Sequence, residues 1–485
     1  MHLLQPQLHS RRAFLRRSSQ LALTGTALPF ALNLAAMGEA AAFNATDYKA
    51  LVCVFLYGGN DYANTVLRYD DPGYNAYSTI RGGGNGQTAG GIALGRNDLT
   101  PTLLTLPTAR PDGIQYALHP AMGGMANLFN TGRAAVQLNV GPLVVPLTRE
   151  QYNSSNRSAF PLPPKLFSHN DQQSIWQSSS PEGSTIGWGG NIGDLALSSN
   201  SNSLFTCINV TGNAVFLSGD QALAYQVSSG GAVAISGVKN NVYNSSAVKS
   251  ALATLVQQPR TNLLENEYNK VTARAIGAEA QVTSGLASSN LTTAFPTNNP
   301  LADQLKMVAR LIGARSALGA KRQVFLVSLG GFDLHDNLIA QQPSLMGRVS
   351  SAMTAFYNAT AELNISQYVT AFTASDFGRT LTSNGDGSDH GWGSHHFMVG
   401  GAVQGRAFYG TPPPVSVGNT AAAQDQWHVG QGRLLPSTSV DQYAATLAKW
   451  FGVADSEMNG ILPNLRRFGA AAGRPDYPTN LGFMG

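Results

Sequence analysis

The sequence predicts an α/β protein with a mostly parallel central sheet and helices on both faces. Three observations support this fold class. Continuous apolar runs, typical of strands that are buried on both faces, occur at 50–57, 324–329 and 368–374. Each run leads into a short turn that carries an aspartate. Segments with helical periodicity lie between the runs, and such alternation of strand and helix is typical of α/β folds.

Amphipathic segments predict the helices of this fold at 261–281, 301–318, 344–363 and 439–451, and a further strand at 397–403. The stretch 146–250 is rich in Ser, Asn and Gly and has only short apolar runs. We therefore expect one α/β domain over 43–485, with 146–250 as a loop-rich inserted cap.

The first 42 residues predict a twin-arginine signal peptide. Arg11 and Arg12 precede a moderately apolar run at 21–36, and the small residues at 40–42 suit signal peptidase. Polar residues, glycine and proline interrupt the run, which is shorter than the roughly 20 residues of a membrane span. These features predict a periplasmic or secreted protein that meets the twin-arginine translocase during export and has no stable membrane span in its mature chain.

Charge and cysteine content narrow the class of protein. The leader contains four arginines and one acidic residue, so 27 basic and 26 acidic residues remain after its removal. Without a basic tract in the mature part, we expect no nucleic-acid partner. The two cysteines, Cys53 and Cys207, are too few for a disulfide framework, and the sequence leaves open whether they pair.

Acidic and histidine side chains follow the predicted strands. Since ligands gather at the carboxyl ends of the strands in open α/β sheets, we expect these side chains to form one site. Carboxylates and imidazoles suit one or two divalent ions such as zinc or manganese, and two such ions can stabilise both oxygens of an ester displacement. The predicted metal ligands are Asp61, Asp333, His335, Asp376, His390, His395 and His396.

Some of these residues also suit structural roles. Asp61 follows two glycines and is equally typical of a helix cap. Asp333 and His335 point to the same side of an extended segment, as chelation requires, but they also suit a salt bridge within a loop. His169 is compatible with either the rim of a site or a structural hydrogen bond. The segment 388–396, SDHGWGSHH, lacks helical or strand periodicity and predicts a tight, exposed turn.

Three motifs connect the chain to a known family. They are Gly-Gly-Asn-Asp at 58–61, Gly-Gly-Phe-Asp-Leu-His at 330–335, and Ser-Asp-Phe-Gly-Arg-Thr at 375–380, which leads into Asp-His-Gly-Trp-Gly at 389–393. With them the chain resembles DUF1501, a family of exported bacterial proteins that is similar to the alkaline phosphatase and sulfatase superfamily. The resemblance implies an alkaline phosphatase-like core and metal-dependent hydrolysis of phosphate or sulfate esters.

The resemblance also implies a ligand set. One metal would be held by Asp333, His335 and a histidine of the 388–396 segment, and a second by Asp61 and Asp376 with another histidine. The chain departs from the superfamily pattern in two ways. Phe377 stands where a histidine usually follows the third-motif aspartate, and the step from Asp333 to His335 is shorter than usual.

The nucleophile is harder to predict. Neither cysteine is followed by the x-Pro-x-Arg sequence from which sulfatases generate formylglycine, which argues against a standard sulfatase. Ser168 and Thr65 are the candidate nucleophiles, and Arg379 suits either a clamp on an anionic substrate or a partner of a neighbouring carboxylate.

The sequence thus predicts an exported metal-dependent hydrolase that acts on a phosphate or related ester, either a small molecule or part of a polymer. The alternatives are a sulfatase-like hydrolase and a catalytically silent envelope protein that binds a partner or supports structure on the same fold.

Overall fold

Ten strands form one central sheet in the computed structural model, which describes residues 45–82, 91–212 and 214–485. Three more strands form a small separate sheet. In chain order the strands are β1 Lys49–Leu56, β2 Val66–Arg68, β3 Leu103–Leu104, β4 Tyr116–Leu118, β5 Ala134–Gly141, β6 Cys207–Asn209, β7 Ala224–Ser228, β8 Gly231–Ala232, β9 Arg322–Leu329, β10 Val369–Ser375, β11 Ser394–Gly400, β12 Phe408–Tyr409 and β13 Thr438–Ser439.

The central sheet has the strand order β12-β5-β11-β10-β1-β9-β6-β7-β8, with β13 also paired to β5. Strand β1 lies in the middle and pairs in parallel with both β9 and β10. Strands β6 and β7 continue the parallel pairing beyond β9, whereas β11 runs antiparallel to its neighbours β10 and β5. Strands β2, β3 and β4 form the small antiparallel sheet. The predicted mostly parallel central sheet is therefore confirmed.

Helices surround the sheet. In chain order they are α1 Asp71–Arg81, α2 Arg96–Leu99, α3 Gly123–Asn130, α4 Arg149–Asn153, α5 His169–Ser178, α6 Trp188–Ala196, α7 Ser236–Lys239, α8 Ser246–Leu255, α9 Leu263–Ser288, α10 Pro300–Gly313, α11 Leu338–Glu362, α12 Val440–Phe451 and α13 Asp455–Ile461, with short 3₁₀ turns between them. Within the described ranges, no helix has both the length and the apolar character needed to cross a membrane.

Strand β1 shows how both faces of the sheet are covered. Its alternate residues enter two different cores, because successive side chains of a strand point to opposite faces. Val52 and Val54 pack in the core that contains α3, α10 and α11, whereas Cys53 and Phe55 pack in the core that contains α6 and α12. This two-sided burial explains why the strand reads as a continuous apolar run.

Several boundaries differ from those predicted. The predicted strand at 397–403 begins at Ser394, and the segment predicted as an exposed turn is buried from Gly391 onward, so that expectation is wrong. The helix predicted from 344 begins at Leu338 and contains Pro343 in its second turn. The predicted cap at 146–250 supplies β6, β7 and β8 to one edge of the central sheet. The predicted signal peptide lies outside the described residues.

Candidate metal centre

The three central parallel strands β10, β1 and β9 deliver polar side chains to one edge of the sheet. Asp376 directly follows β10, and Asp333 and His335 follow β9 after a short turn. Gly58, just beyond β1, makes this close approach possible. It has a φ of +118°, and a Cβ added there would lie 2.4 Å from the backbone nitrogen of Asp333. A side chain at position 58 would therefore displace Asp333.

Four side chains, which we call the histidine cluster, meet at this edge: His169, Asp333, His335 and His390. The Nε2 atom of His390 lies 3.1 Å from Nε2 of His169 and 3.0 Å from Nε2 of His335. The Oδ1 atom of Asp333 lies 3.0 Å from Nε2 of His335 and 3.2 Å from Nε2 of His390. Among the described residues, His169, Asp333 and His390 offer ligand atoms that all lie within 4.8 Å of one another.

The second ring nitrogen of each histidine faces an acceptor. His169 Nδ1 lies 2.6 Å from Oδ2 of Asp376, His335 Nδ1 lies 3.2 Å from Oδ1 of Asp389, and His390 Nδ1 lies 2.8 Å from the backbone oxygen of Phe167. A carbonyl or carboxylate oxygen accepts only, so each Nδ1 donates. In the neutral imidazole the Nε2 atom then carries a lone pair and no proton.

Three unprotonated nitrogens therefore converge on one carboxylate. Two nitrogen lone pairs about 3 Å apart repel each other unless a proton or a cation lies between them. Ligands of one ion, each about 2.0–2.1 Å from it, lie about 3.0–3.4 Å from one another at octahedral to tetrahedral angles. His390 Nε2 lies 3.0–3.2 Å from His169, His335 and Asp333, within or close to that range. His335 is close to His390 and Asp333 but is not part of the group in which every pair of ligand atoms lies within 4.8 Å. Metal-bound histidines also typically donate their other N–H to a carboxylate or carbonyl, as all three do here.

The charges around the cluster act on its members in different directions: the pKa of His169 is raised, which favours the protonated ring and competes with metal binding, whereas the pKa values of His390 and Asp333 are lowered, which favours the unprotonated ligands. The hydrogen bond and charge of Asp376 raise the pKa of His169. Burial lowers the pKa of His390, and the nearby positive charges of His169 and Arg379 lower it further. Burial alone would raise the pKa of Asp333, but the hydrogen bond and charge of Arg379 outweigh it, so the pKa is lowered. Asp333 is therefore a carboxylate at neutral pH, as a metal ligand must be.

A family model described as "Protein of unknown function (DUF1501)" matches residues 48–459. The chain belongs to the DUF1501 family. The match contains every member of the histidine cluster and each of the three motifs that suggested the resemblance. Among curated proteins, none matches the chain significantly.

The solved structures that match this chain share little of its sequence. Ps i-CgsB is 11% identical, with a TM-score of 0.34 over 90% of this chain and 78% of that chain. Its complex with k-i-k-neocarrahexaose is 11% identical, with a TM-score of 0.32 over 86% and 74%. A Bacteroides thetaiotaomicron protein (BT33494S-sulf), from a locus for glycosaminoglycan metabolism, is 9% identical, with a TM-score of 0.32 over 85% and 74%. Likeness this distant assigns neither an activity nor a substrate to the chain.

Helix α5 of this DUF1501 protein brings His169 to the histidine cluster from a distant part of the chain. His169 is the first residue of the helix, and the preceding turn contains Phe167 with a φ of +72°. A bulky residue in the left-handed region is strained, and such strain is common at functional sites. Here the strained residue directs its carbonyl oxygen at His390, so one short segment supplies both a cluster histidine and the acceptor that orients another.

Two predicted site residues lie behind the cluster. Asp376 is fully buried, and its Oδ2 accepts hydrogen bonds from His169 and from Gln173, the latter at 2.8 Å. It therefore orients a cluster histidine and does not face the other ligand atoms. Arg379 is also fully buried and donates to Asp333 Oδ1 at 2.8 Å and to the carbonyl of Gly58 at 3.0 Å. Its guanidinium fixes the carboxylate, which leaves it no open position for a substrate anion.

The structure does not bring Asp61 into the cluster. Its Oδ1 caps the 3₁₀ turn Tyr62–Asn64, and its Oδ2 accepts from Arg81 at 2.9 Å and from Ser388 at 2.7 Å. Both oxygens are thus engaged: Oδ1 takes the role of a cap, one of the two predicted for this residue, and Oδ2 takes an ion pair with Arg81 and a hydrogen bond from Ser388. Asp61 supports the cluster only indirectly, since the backbone oxygen of Ser388 accepts from Arg379.

His395 and His396 also lie away from the cluster. They are consecutive residues of β11 and point to opposite faces of the sheet. His395 Nδ1 accepts a hydrogen bond from the backbone of Asn139 at 3.0 Å, and the ring of His396 packs on Trp176. Burial lowers the pKa of each to about 3. Their placement fits core histidines and does not fit the ligand role that the sequence predicted.

The two candidate nucleophiles are both engaged in structural hydrogen bonds. Ser168, which directly precedes His169, donates its hydroxyl to Oδ2 of Asp171 at 2.9 Å. Thr65 is buried and donates its hydroxyl to the backbone oxygen of Asp61 at 2.7 Å. Neither hydroxyl has a hydrogen bond to a cluster histidine, so neither has a neighbouring imidazole base to activate it.

One cationic side chain beside the cluster was not predicted from the sequence. Arg433 donates from Nε to the backbone oxygen of His390 at 2.7 Å, and its guanidinium lies 5.4 Å from the ring centre of Phe167. The residue is only partly buried, and its two terminal nitrogens have no hydrogen-bond partner among the described residues. Arg433 therefore presents two donors next to a cluster histidine.

Proposed function

We propose that this protein is an exported hydrolase that holds a divalent metal ion at the histidine cluster and cleaves a phosphate or related ester. One observation carries the proposal. Ligand atoms of His169, His390 and Asp333 all lie within 4.8 Å of one another, and His335 Nε2 lies 3.0 Å from both His390 and Asp333, while each Nδ1 is held by an acceptor. A set of imidazoles with one carboxylate suits zinc or manganese better than the all-oxygen sites typical of calcium or magnesium.

The partial exposure of the cluster favours catalysis over a closed structural site. The side chains of Asp333 and His335 are 42% and 38% exposed, so an ion held by the cluster would keep a further position open to solvent, whereas a structural zinc site is closed to it. A metal in such an open site supplies an acidified water and polarises the oxygen of an ester. The neighbouring protein groups hold the geometry, since Asp376, Asp389 and Arg379 fix three members of the cluster.

Arg433 is the group we assign to the anionic part of the substrate. Its terminal nitrogens are available beside the cluster, and a guanidinium with two free donors can bind two oxygens of a phosphate or sulfate group. For Arg379 the sequence left this role and that of a carboxylate partner open, and in the structure Arg379 donates to Asp333 and to the backbone oxygen of Gly58. The assignment favours an anionic ester over a neutral substrate.

A water nucleophile fits the site better than a side-chain nucleophile. The hydroxyls of Ser168 and Thr65 donate to Asp171 and to the backbone of Asp61. Hydrolysis without a covalent intermediate is therefore the course we propose. The alternative, a catalytically silent metal-binding protein, is favoured by the same lack of an activated hydroxyl, and only turnover separates the two.

The test compares Asp333→Asn with Asp336→Asn in chains purified without chelator. Asp336 lies three residues further along the same turn and is exposed. Its carboxylate accepts no hydrogen bond from a described residue, so Asp336 is the matched control. Metal per chain is measured by plasma mass spectrometry. Turnover is measured with p-nitrophenyl phosphate, bis(p-nitrophenyl) phosphate and p-nitrophenyl sulfate.

We expect bound metal and ester turnover in the native chain and in Asp336→Asn, and a loss of both in Asp333→Asn. Equal metal content in the two variants would remove the support for a metal at the cluster. Metal binding through Asp333 without turnover of any of the three esters would refute the hydrolase and leave the silent metal-binding protein. Turnover of the sulfate alone would establish the sulfatase-like alternative.

A further inference from the structure

The exposed apolar residues of this protein are concentrated in one region. Of the eleven large hydrophobic side chains that are well exposed in the described ranges, ten lie between Leu223 and Val271. Scattered exposed apolar residues are normal on soluble proteins, but ten of eleven within one stretch of chain are more than scatter, and concentrations of exposed apolar residues typically mark interaction surfaces. The segment includes α8 and the first half of α9, and no residue of α8 is buried. This region is therefore a candidate interaction surface.

Helix α9 shows how the surface is organised. Along the helix, apolar residues recur with alternating steps of four and three at Leu264, Tyr268, Val271, Ala275, Ala278 and Val282. We call this row the α9 stripe. Such spacing places the residues on one seam that packs against another helix in coiled coils. The last two are buried against the body of the protein, but Leu264, Tyr268 and Val271 are 80%, 69% and 50% exposed.

We propose that the exposed half of the α9 stripe pairs with the same stripe of a second copy of this chain, in antiparallel orientation. The charges beside the stripe select this partner and this direction. Glu267 and Arg274 are seven residues apart, so they lie on the same edge of the seam, and within one chain they are 3.2 Å apart. In an antiparallel pair this edge of one helix faces the same edge of the other.

Antiparallel pairing therefore sets Glu267 of each copy against Arg274 of the other and forms two equivalent ion pairs. Parallel pairing would set Glu267 beside Thr272 of the other copy and Arg274 beside Glu279, whose carboxylate is already paired with Lys239, so it offers neither residue a free partner of opposite charge. A twofold symmetric contact of this kind is closed, so it gives a dimer and not a filament. Because each residue occurs twice in the interface, each substitution also acts twice.

Adjacent leucines provide a matched pair of variants. Leu263 and Leu264 are each 80% exposed, but only Leu264 belongs to the α9 stripe, and Leu263 is rotated by about 100° around the helix. We expect Leu264→Glu to raise the dimer dissociation constant at least about 100-fold and Leu263→Glu to change it less than about threefold. Since both positions are exposed, neither change should alter the circular dichroism spectrum or the melting temperature.

The ion pairs are tested by charge exchange. Glu267→Arg alone and Arg274→Glu alone each place like charges together, and we expect each to raise the dissociation constant about tenfold or more. The double variant, with both changes, restores opposite charges across the symmetric contact, and its dissociation constant should return to within about threefold of the native value.

Sedimentation velocity of the full-length chain, from about 1 to 100 µM, measures these constants. A chain that stays monomeric throughout this range overturns the proposal. Self-association that Leu264→Glu leaves unchanged also overturns it, because another surface must then be responsible. Failure of the double charge exchange to restore a dimer that the single changes weaken overturns the antiparallel orientation.

Discussion

Replacement of Asp376 by Asn tests whether this buried carboxylate tunes the proposed metal centre through His169. Both partners of Oδ2, the Nδ1–H of His169 at 2.6 Å and the side-chain amide of Gln173 at 2.8 Å, are donors. An amide oxygen in the same place accepts both hydrogen bonds, so the substitution removes the negative charge and keeps the geometry. The variant Asp376→Asn therefore isolates the charge.

The expected magnitude follows from the position of Asp376. Its side chain is fully buried, so its charge acts on the imidazole with little screening by solvent. Loss of a carboxylate that accepts a hydrogen bond from a metal-binding histidine typically weakens metal affinity about 10–100-fold, which corresponds to about 1.4–2.7 kcal/mol. The new amide nitrogen would replace Oδ1, which is buried and has no hydrogen-bond partner among the described residues. An additional loss of about 1–3 kcal/mol in the free energy of unfolding is therefore expected.

Competition with a chromogenic zinc chelator at pH 8 measures the affinity, and thermal unfolding of the metal-free protein measures the separate stability cost. NMR titration of the metal-free variant should show a lower pKa for His169, because the carboxylate that raises it is gone. If Asp376→Asn folds normally and binds zinc within about twofold of the native affinity, the reasoning that connects Asp376 to the metal through His169 is refuted.

Three further predictions concern the substrate, the core and export. Arg433→Gln should raise KM for an anionic ester about tenfold or more while metal content stays unchanged, and an unchanged KM in steady-state kinetics would exclude the anion role. Cys207→Ser places a hydroxyl in an apolar core and should lower the free energy of unfolding in urea by about 1–3 kcal/mol without affecting turnover; loss of turnover in a folded variant would revive a cysteine-derived nucleophile. Arg11→Lys combined with Arg12→Lys should trap the precursor in the cytoplasm, and normal periplasmic amounts after cell fractionation would contradict twin-arginine export.

The central sheet was predictable because its signal is local. A strand that is buried on both faces has an apolar residue at every position, as 50–56 and 324–327 do, and such a run needs no knowledge of its neighbours. The location of Asp333 at the edge of the sheet follows from the same runs, because the ends of parallel strands share one edge. The sequence therefore predicted the edge of the sheet at which the histidine cluster lies.

The membership of the site was less predictable because it depends on distant contacts. His169 meets Asp376 across 207 residues of chain, and no local pattern distinguishes it from a structural histidine. His395 and His396 form a doublet that is typical of metal motifs, but they belong to a strand that begins one residue earlier, at Ser394. A strand boundary a few residues earlier than predicted was enough to move both histidines from the site to the core.

The sequence also did not predict which acidic residue faces the cluster and which one orients a histidine from behind. Asp333 and Asp376 both follow central strands and carry the same functional group. Whether a carboxylate faces the cluster or orients an imidazole depends on shifts of a few ångströms and on which neighbours donate to it. Arg379 fixes Asp333 within the cluster, whereas Gln173 and His169 engage Asp376 behind it. Only side-chain geometry separates these two outcomes.

X-ray absorption at the metal edge of the purified protein tests the histidine cluster most directly. The proposed site predicts a first shell of nitrogen and oxygen at about 2.0–2.1 Å, with the multiple scattering of three imidazoles from His169, His335 and His390. The imidazole contribution should fall by one ring in His390→Ala and stay unchanged in His395→Ala, because His395 lies in the core of the sheet. A first shell without imidazole, or one that loses a ring in His395→Ala instead, would contradict the metal centre proposed here.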